Sequence, residues 1–422
     1  MRTIPVRNLI SAALLVILFG RTALSEDWPQ FRGPGGLGVS QEIGLPVVWS
    51  DAENLDWKTE LPGFGSSSPI TLDDRVYVTC YSGYGTGEPD EKMEDLTLHV
   101  ICVSQTSGQF IWDQHIQAKM PEAERVRDHG YAAATPATDG THLYLFFGKT
   151  GVFKFDLSGN QIWQADVGSQ THGWGCGTSP VLYEDLVIVN ASVESGSLVA
   201  INKENGSEVW RSPGMNSSWS TPHLVALPNG EYELVVNVED SILGVDPATG
   251  NSLWTCDGIH DYVCPSVVSH EGVAYVIGGR QSSAIAVRAG GRGDVTETHR
   301  LWEAKAGANV SSPVVVDDHM YWVSDRNNVA YCLRLSDGEV IYSKRFPSQP
   351  YASALAGDSK IYIVTRNDGT YVLAAKPEFK ELAHNKLDDQ STFNASPIIS
   401  NGSLILRSDH FLYCIRKTHQ RN

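Results

Sequence analysis

A Ser/Thr-Pro pair followed by a strand-like run recurs along this chain, and that recurrence limits the fold more than any other feature. The pairs are Ser68-Pro69, Thr135-Pro136, Ser179-Pro180, Thr221-Pro222, Ser312-Pro313 and Ser396-Pro397, with altered copies at Cys264-Pro265-Ser266 and Ala352-Ser353-Ala354. Eight units result. After a first interval of 67 residues the steps are 41 to 48 residues, enough for four short strands and their turns, the size of one propeller blade. Behind each pair comes an Asp/Asn/Gly turn, such as Asp73-Asp74, Glu184-Asp185 or Asn401-Gly402, and then a β-forming run such as Val76-Tyr77-Val78 or Ile361-Tyr362-Ile363. A third strand ends on a Gly turn (Gly108, Gly159, Gly206, Gly250, Gly338), and four residues later stands an aromatic (Trp112, Trp163, Trp210, Trp254, Tyr342). The Gly supplies a positive φ, and the aromatic has a large area to bury on the neighbouring blade.

The two ends of the chain complement each other. The last unit, Ser396 to Ile415, holds only three strands, while Leu55-Asp56-Trp57-Lys58 is one strand too many before the first unit. The sequence therefore predicts an all-β, eight-bladed propeller of four-stranded blades, its last blade closed by an N-terminal strand, which removes the open sheet edge. A seven-bladed ring with one stray motif is the structural rival. The predicted divisions are a signal peptide at 1–25, a lead-in segment at 26–54, the propeller at 55–416 and a C-terminal tail at 417–422.

Arg2 and Arg7, the apolar run from Leu9 to Phe19 and Ala23-Leu24-Ser25 have the pattern of a cleaved secretory signal. The run is shorter than the roughly 20 residues a bilayer span needs. An uncleaved N-terminal anchor is the other reading. Without Arg2, Arg7 and Arg21 the chain keeps 29 basic residues against 49 acidic ones, a net charge of −20. So acidic a surface argues against nucleic acid, whose phosphates need a basic footprint. The reading is a periplasmic or secreted monomer with no membrane span after signal cleavage. Seven cysteines do not make a disulfide scaffold. Cys102, Cys332 and Cys414 recur at one place in the repeat, where other copies carry Ala200 or Gly244, and are read as small buried hydrophobes. Cys256 and Cys264 bracket a short loop, and whether they pair depends on geometry.

The Asp-x-x-Thr-Gly-x-x-x-Trp form at Asp246 to Trp254 resembles the tryptophan-docking repeat of pyrroloquinoline-quinone (PQQ) dehydrogenases, which also occurs in the non-enzymatic barrel-assembly propeller of the bacterial outer membrane. Trp28-Pro29-Gln30-Phe31-Arg32-Gly33-Pro34 and Gly290-Gly291-Arg292-Gly293-Asp294-Val295 are further similar to secreted PQQ-like repeat proteins of planctomycete-type bacteria. The resemblance covers the mature chain and implies the fold. It leaves function to be argued from a site.

Residues just before each Ser/Thr-Pro unit are expected to ring one mouth of the channel: Phe64, Tyr131, Trp174, Trp219, Tyr262, Asn309, Tyr351 and Phe393. Hairpins between second and third strands add Lys149, Glu194, Glu239, Asp240, Arg280, Asp325, Arg326, Arg366, Asp368 and Asp409. An aromatic funnel with mixed charges suits a protein, peptide or glycan partner, and aromatics that merely plug the channel are the plain alternative. The first interval is lengthened by Ser82–Asp95 and Gln114–Ala133, the latter expected to form a short helix folded over the mouth. It brings Arg127, Asp128 and His129 near the axis. His129 is a candidate general base with Asp128 beside it, or a plain surface histidine. PQQ with calcium is the alternative the resemblance raises, with Glu194, Asn190, Asp261 and Arg280 as candidate holders. The vicinal Cys-Cys pair of many alcohol-oxidising members is absent, and the chain is short for a cofactor cover. No metal-ligand spacing is evident in the sequence.

Overall fold

The computed structural model describes residues 26–417, so the leader read at 1–25 and most of the tail lie outside it. Eight antiparallel sheets follow one another around an axis. Blade 1 is built from Ile70–Leu72, Arg75–Ser82, Thr97–Ser104 and Phe110–Gln117, and later blades repeat that order. Blade 8 holds Ile398–Ser400, Ser403–Arg407 and Phe411–Arg416, and its fourth strand is Leu55–Glu60, with Trp57 opposite Cys414. The ring is closed by its own N-terminal strand. Blade 4 gains a fifth, parallel edge strand from Gly293–Asp294, so the Arg292-Gly293-Asp294 segment is a sheet edge.

The recurring Ser/Thr proves to be a hydrogen-bond acceptor between blades. Backbone N–H groups of Ser68, Thr135 and Ser179 donate to the hydroxyls of Thr135, Ser179 and Thr221 at 2.9 to 3.1 Å. The pattern resumes from Ser266 to Ser312, Ser353, Ser396 and back to Ser68, at 2.9 to 3.1 Å. Ser220 Oγ bridges the remaining step by donating to Pro265 O. The fifth unit is therefore framed on Ser266 rather than on Cys264. Both altered units keep the hydroxyl, which is the part that joins the inner strands.

The outer strands are joined by tryptophan. Indole N–H groups of Trp57, Trp112, Trp163, Trp210 and Trp302 donate to backbone carbonyls of Gln105, Leu157, Lys203, Pro247 and Leu335 in the next blade. The turn glycine of that next blade lies flat against the ring: a Cβ on Gly108, Gly206, Gly250 or Gly338 would come within 3.0 Å of it, and each has positive φ. Opposite the aromatic in six of the blades sits a small residue, Cys102, Ala200, Gly244, Ala286, Cys332 or Cys414, while in blade 2 Trp163 faces Lys154. Trp254 departs from the pattern and donates to the buried carboxylate of Glu233, which also accepts from Gly290 N–H and Arg292. The hydrophobic core lies between neighbouring blades, as where Tyr77, Val100 and Cys102 meet Leu143, Phe153 and Phe155.

The lead-in segment does more than reach the first strand. Its Trp28 and Pro29 carbonyls accept from Thr71 and Thr138 N–H, it exchanges backbone hydrogen bonds with Ala356, and Glu42 accepts from Asn401 and Gly402 N–H. Arg32, buried beneath it, donates to Gly36 O, Leu37 O and Pro313 O. These contacts in blades 1, 2, 6, 7 and 8 place the segment across the far end of the channel, with Phe31 on the channel floor. All seven cysteines are free thiols, Cys256 and Cys264 included. Cys256 is buried in the core between blades 4 and 5 while Cys264 lines the channel, so the loop between them separates rather than pairs them.

Candidate functional site

The inner strands start at the channel mouth, so the residues preceding each Ser/Thr unit are brought together there from distant parts of the chain. They enclose an axial cavity of about 420 Å³. Its wall is the hydroxyl ring, including Ser68, Ser179, Thr221 and Ser312, and its rim holds Trp174, Trp219, Tyr262, Asn309 and Tyr351. Trp174 packs on Trp219 and Tyr262 with ring centroids 5.0 and 4.7 Å apart, and His172 lies 5.1 Å from Trp219. Trp219 Nε1 donates to Gly175 O, which fixes the ring. The Arg280 guanidinium stands 4.8 Å over Tyr262 and the Arg366 guanidinium 5.1 Å over Tyr351.

The loop before Tyr131 roofs this cavity with Arg127, Asp128 and His129. It contains no helix; turns and side-chain bonds hold it instead. Asp128 pairs with Arg366 at 3.1 Å, Asn394 Nδ2 donates to Asp128 O, Ser66 Oγ to His129 O and Arg127 N–H to Gly173 O. Its outer part is tied by Tyr84 and Tyr131 hydroxyls to Glu124 O and Ala123 O, and by Lys149 Nζ to Pro121 O. His129 is partly buried with Nδ1 3.2 Å from Gly130 O, which makes Nδ1 the protonated nitrogen, and desolvation pushes its pKa below the ordinary value. Backbone oxygens of Gly130 and Trp174 and the charge of Asp128 oppose that shift.

Three of the expected rim aromatics lie elsewhere. Phe393 is buried in the core beside Tyr413, Phe64 packs on Tyr81 and His410, and Tyr131 stacks edge-on against Tyr81 beneath the lid. Arg326 is exposed and stands outside the cavity lining. Glu194 is buried in a separate void of about 30 Å³ under the lid, with Cys176 and Lys149. Burial raises its carboxyl to about 8, and Oε2 has no protein partner. Sequence reasoning missed Gln349 and Asn394 as lining residues, while Asp325, expected from its hairpin, does line the cavity and organises its wall. Asp325 accepts from Asn309 and Val310 N–H, and Gln349 Nε2 donates to Asp325 O. Two buried acceptors of the lining, Asn309 Oδ1 and Asn394 Oδ1, have no protein donor.

These donors do not suit PQQ with calcium. Glu194 and Asn190 keep unpartnered oxygens (Oε2 and Oδ1) but lie outside the axial cavity, and the Asp261 carboxylate already accepts from Tyr262 and Arg280 N–H. A flat cofactor stacks between parallel faces, whereas Trp174 and Trp219 meet at 59°.

The profile of the family described as outer membrane protein assembly factor BamB matches residues 39–255, 97–344 and 292–414. The chain belongs to this family. BamB of Burkholderia pseudomallei (strain K96243) is 22% identical over 386 residues, covering 83% of this chain and 84% of that one. BamB of Yersinia pestis is 22% identical over 292 residues, covering 65% and 72%. Among solved structures, BamB from Moraxella catarrhalis superposes with a TM-score of 0.59 at 12% identity, covering 85% of this chain and 98% of that one. A europium-containing methanol dehydrogenase gives 0.61 at 10% identity, covering 90% and 89%. At such identities the likeness is one of fold. The family match begins at Val39, so Phe31 and Arg32 of the channel floor lie outside it. Among the described residues no helix is long and apolar enough to cross a membrane.

Proposed function

We propose that this BamB-family propeller is exported to the periplasm or secreted, acts without catalysis as a monomer, and captures a protein, peptide or glycan at its lidded aromatic mouth. The observation that carries the reading is the pairing of the Trp174–Trp219–Tyr262 arc with unpartnered amide oxygens on Asn309 and Asn394 in one cavity. The aromatic faces offer apolar area, and the amide oxygens await N–H or O–H donors that a peptide or a sugar carries. The relatives' description as an assembly factor supports a protein partner. The double variant Trp174→Ala, Trp219→Ala is expected to abolish partner co-purification from the envelope while shifting the melting temperature by only a few degrees. Retained capture, or a collapse in stability, overturns the reading and returns the arc to packing.

The alternative, a PQQ- and calcium-dependent oxidoreductase of alcohols or sugars, is favoured by the fold likeness to the methanol dehydrogenase. Titration with PQQ and Ca²⁺ separates the two. The binding reading expects neither cofactor absorbance nor dye-linked oxidation, and either signal reverses the order.

A further inference from the structure

At the root of the two insertions in blade 1, three metal-ligating side chains meet on one face of the outer hairpin. His99 on the third strand is directly opposite His115 on the fourth, and Asp113 lies two residues before His115, so strand alternation points all three to the same side. The side-chain donors converge. His99 Nδ1 is 3.1 Å from Asp113 Oδ1, His115 Nε2 is 3.1 Å from Asp113 Oδ2, and the two imidazole rings are 4.5 Å apart. Among the described residues no other three His, Cys, Asp or Glu side chains bring their donor atoms so close.

We propose that His99, Asp113 and His115 bind a borderline divalent transition metal of the zinc class. Two imidazoles and a carboxylate match the donors such ions take, whereas hard ions such as Ca²⁺ prefer all-oxygen shells. Legs of about 2.0–2.1 Å in tetrahedral geometry place neighbouring ligand atoms roughly 3.3 Å apart. The separations from Asp113 are already within a few tenths of an ångström of that. The outer partner is also in place, because His99 Nε2 lies 2.8 Å from Ser82 Oγ. On binding, the metal takes the Nδ1 lone pair of His99 and the Nε2 lone pair of His115. Each neutral ring carries its proton on the other nitrogen, and for His99 that N–H donates to Ser82 Oγ. The protons that the two rings share with Asp113 leave those nitrogens as the metal binds.

The burial of the three is graded. His99 is enclosed, Asp113 half-buried and the His115 side chain 60% exposed, so the fourth position opens to solvent for water or a further ligand. A metal here pins strand Thr97–Ser104 to strand Phe110–Gln117 just before Ala118, where the roof loop leaves blade 1. The site is independent of the partner read at the mouth.

The test titrates ZnCl₂ into the EDTA-stripped, buffer-exchanged full chain by calorimetry, with melting temperature followed in parallel. One equivalent is expected to bind and to raise the melting temperature, while CaCl₂ does neither. His115→Gln, at an exposed position that leaves the fold intact, weakens zinc affinity at least tenfold. Ser82→Ala, a positioning change, weakens it about tenfold while keeping the stoichiometry. Absence of one-equivalent binding, or unchanged affinity in both His115→Gln and Asp113→Asn, overturns the assignment.

Discussion

Both ends of the channel are closed by segments that lie outside the blades, but they are closed in different chemical terms. At the far end Trp28 is 1% exposed and packs face-on against Gly33, and Arg32 is buried under backbone carbonyls. At the mouth the roof presents Glu124, Arg125, Arg127 and Asp128 to solvent and is latched to blades 1, 7 and 8 by one ion pair and single hydrogen bonds. The first closure shares the hydrophobic core with the blades. The second rests on polar contacts that water can replace at low cost. The mouth is therefore the end expected to yield first, although Met120, Tyr131 and Ala132 anchor the roof to the blade 1–2 core.

Breaking the floor is expected to have the largest effect. Trp28→Ala removes a fully buried indole and is expected to cost about 3–5 kcal/mol, measured by chemical denaturation. A loss below about 1 kcal/mol would make the floor as removable as the roof.

The two ends are also expected to fail at opposite limits of pH. Near the floor, burial lowers the pKa of His223 from 6.5 to about 4, so the unfolded chain binds the extra proton between those values. Stability is therefore lost as pH falls through that window, by on the order of 3 kcal/mol, and His223→Gln flattens the acid limb. Under the roof, burial raises Glu194 from 4.5 to about 8, so there the native state holds the extra proton. Stability is lost as pH rises through that window, and Glu194→Gln is expected to stabilise the protein at pH 8. Melting curves of both variants from pH 4 to 8.5 check the signs.

A smaller change tests the belt common to both ends. Ser353→Ala leaves the Ser312 N–H without its acceptor and is expected to cost about 1–3 kcal/mol by denaturant titration. The smallest effect belongs to the latch. Asp128→Asn is expected to change stability by less than about 1 kcal/mol yet to speed proteolysis within the roof loop. Unchanged cleavage at that loop would place the restraint on Asn394 and Tyr131 instead.

The architecture was legible because its signals repeat. A Ser/Thr acceptor, a turn Gly and an aromatic four residues on each satisfy a local geometric need, and eight copies of the first with five of the Gly–aromatic pair make the pattern plain. Even so, Pro was the wrong anchor for the fifth unit, since the hydroxyl of Ser266 is what its neighbour requires. The site was less legible. Position before the inner strand correctly brings Trp174, Trp219, Tyr262, Asn309 and Tyr351 to one cavity, but it cannot say which way a ring turns. Phe393 turns into the core beside Tyr413, and the lid diverts Tyr131. The floor was unreadable, because Phe31 and Arg32 belong to no repeat, and the blade partner of Arg32, Pro313, lies 281 residues away. The histidine pair of blade 1 was likewise hidden, since His99 and His115 become neighbours only through strand pairing.

The closure of blade 8 has a temporal side. Leu55 pairs with Ile415 and Trp57 with Cys414, so this strand, made before the other propeller strands, finds its partner only after all the others have been made. Until then seven blades stand in an open arc with two adhesive edges, the arrangement most prone to join another chain. Removal of Phe411–Arg416 would also leave Leu55–Glu60 without its partner strand.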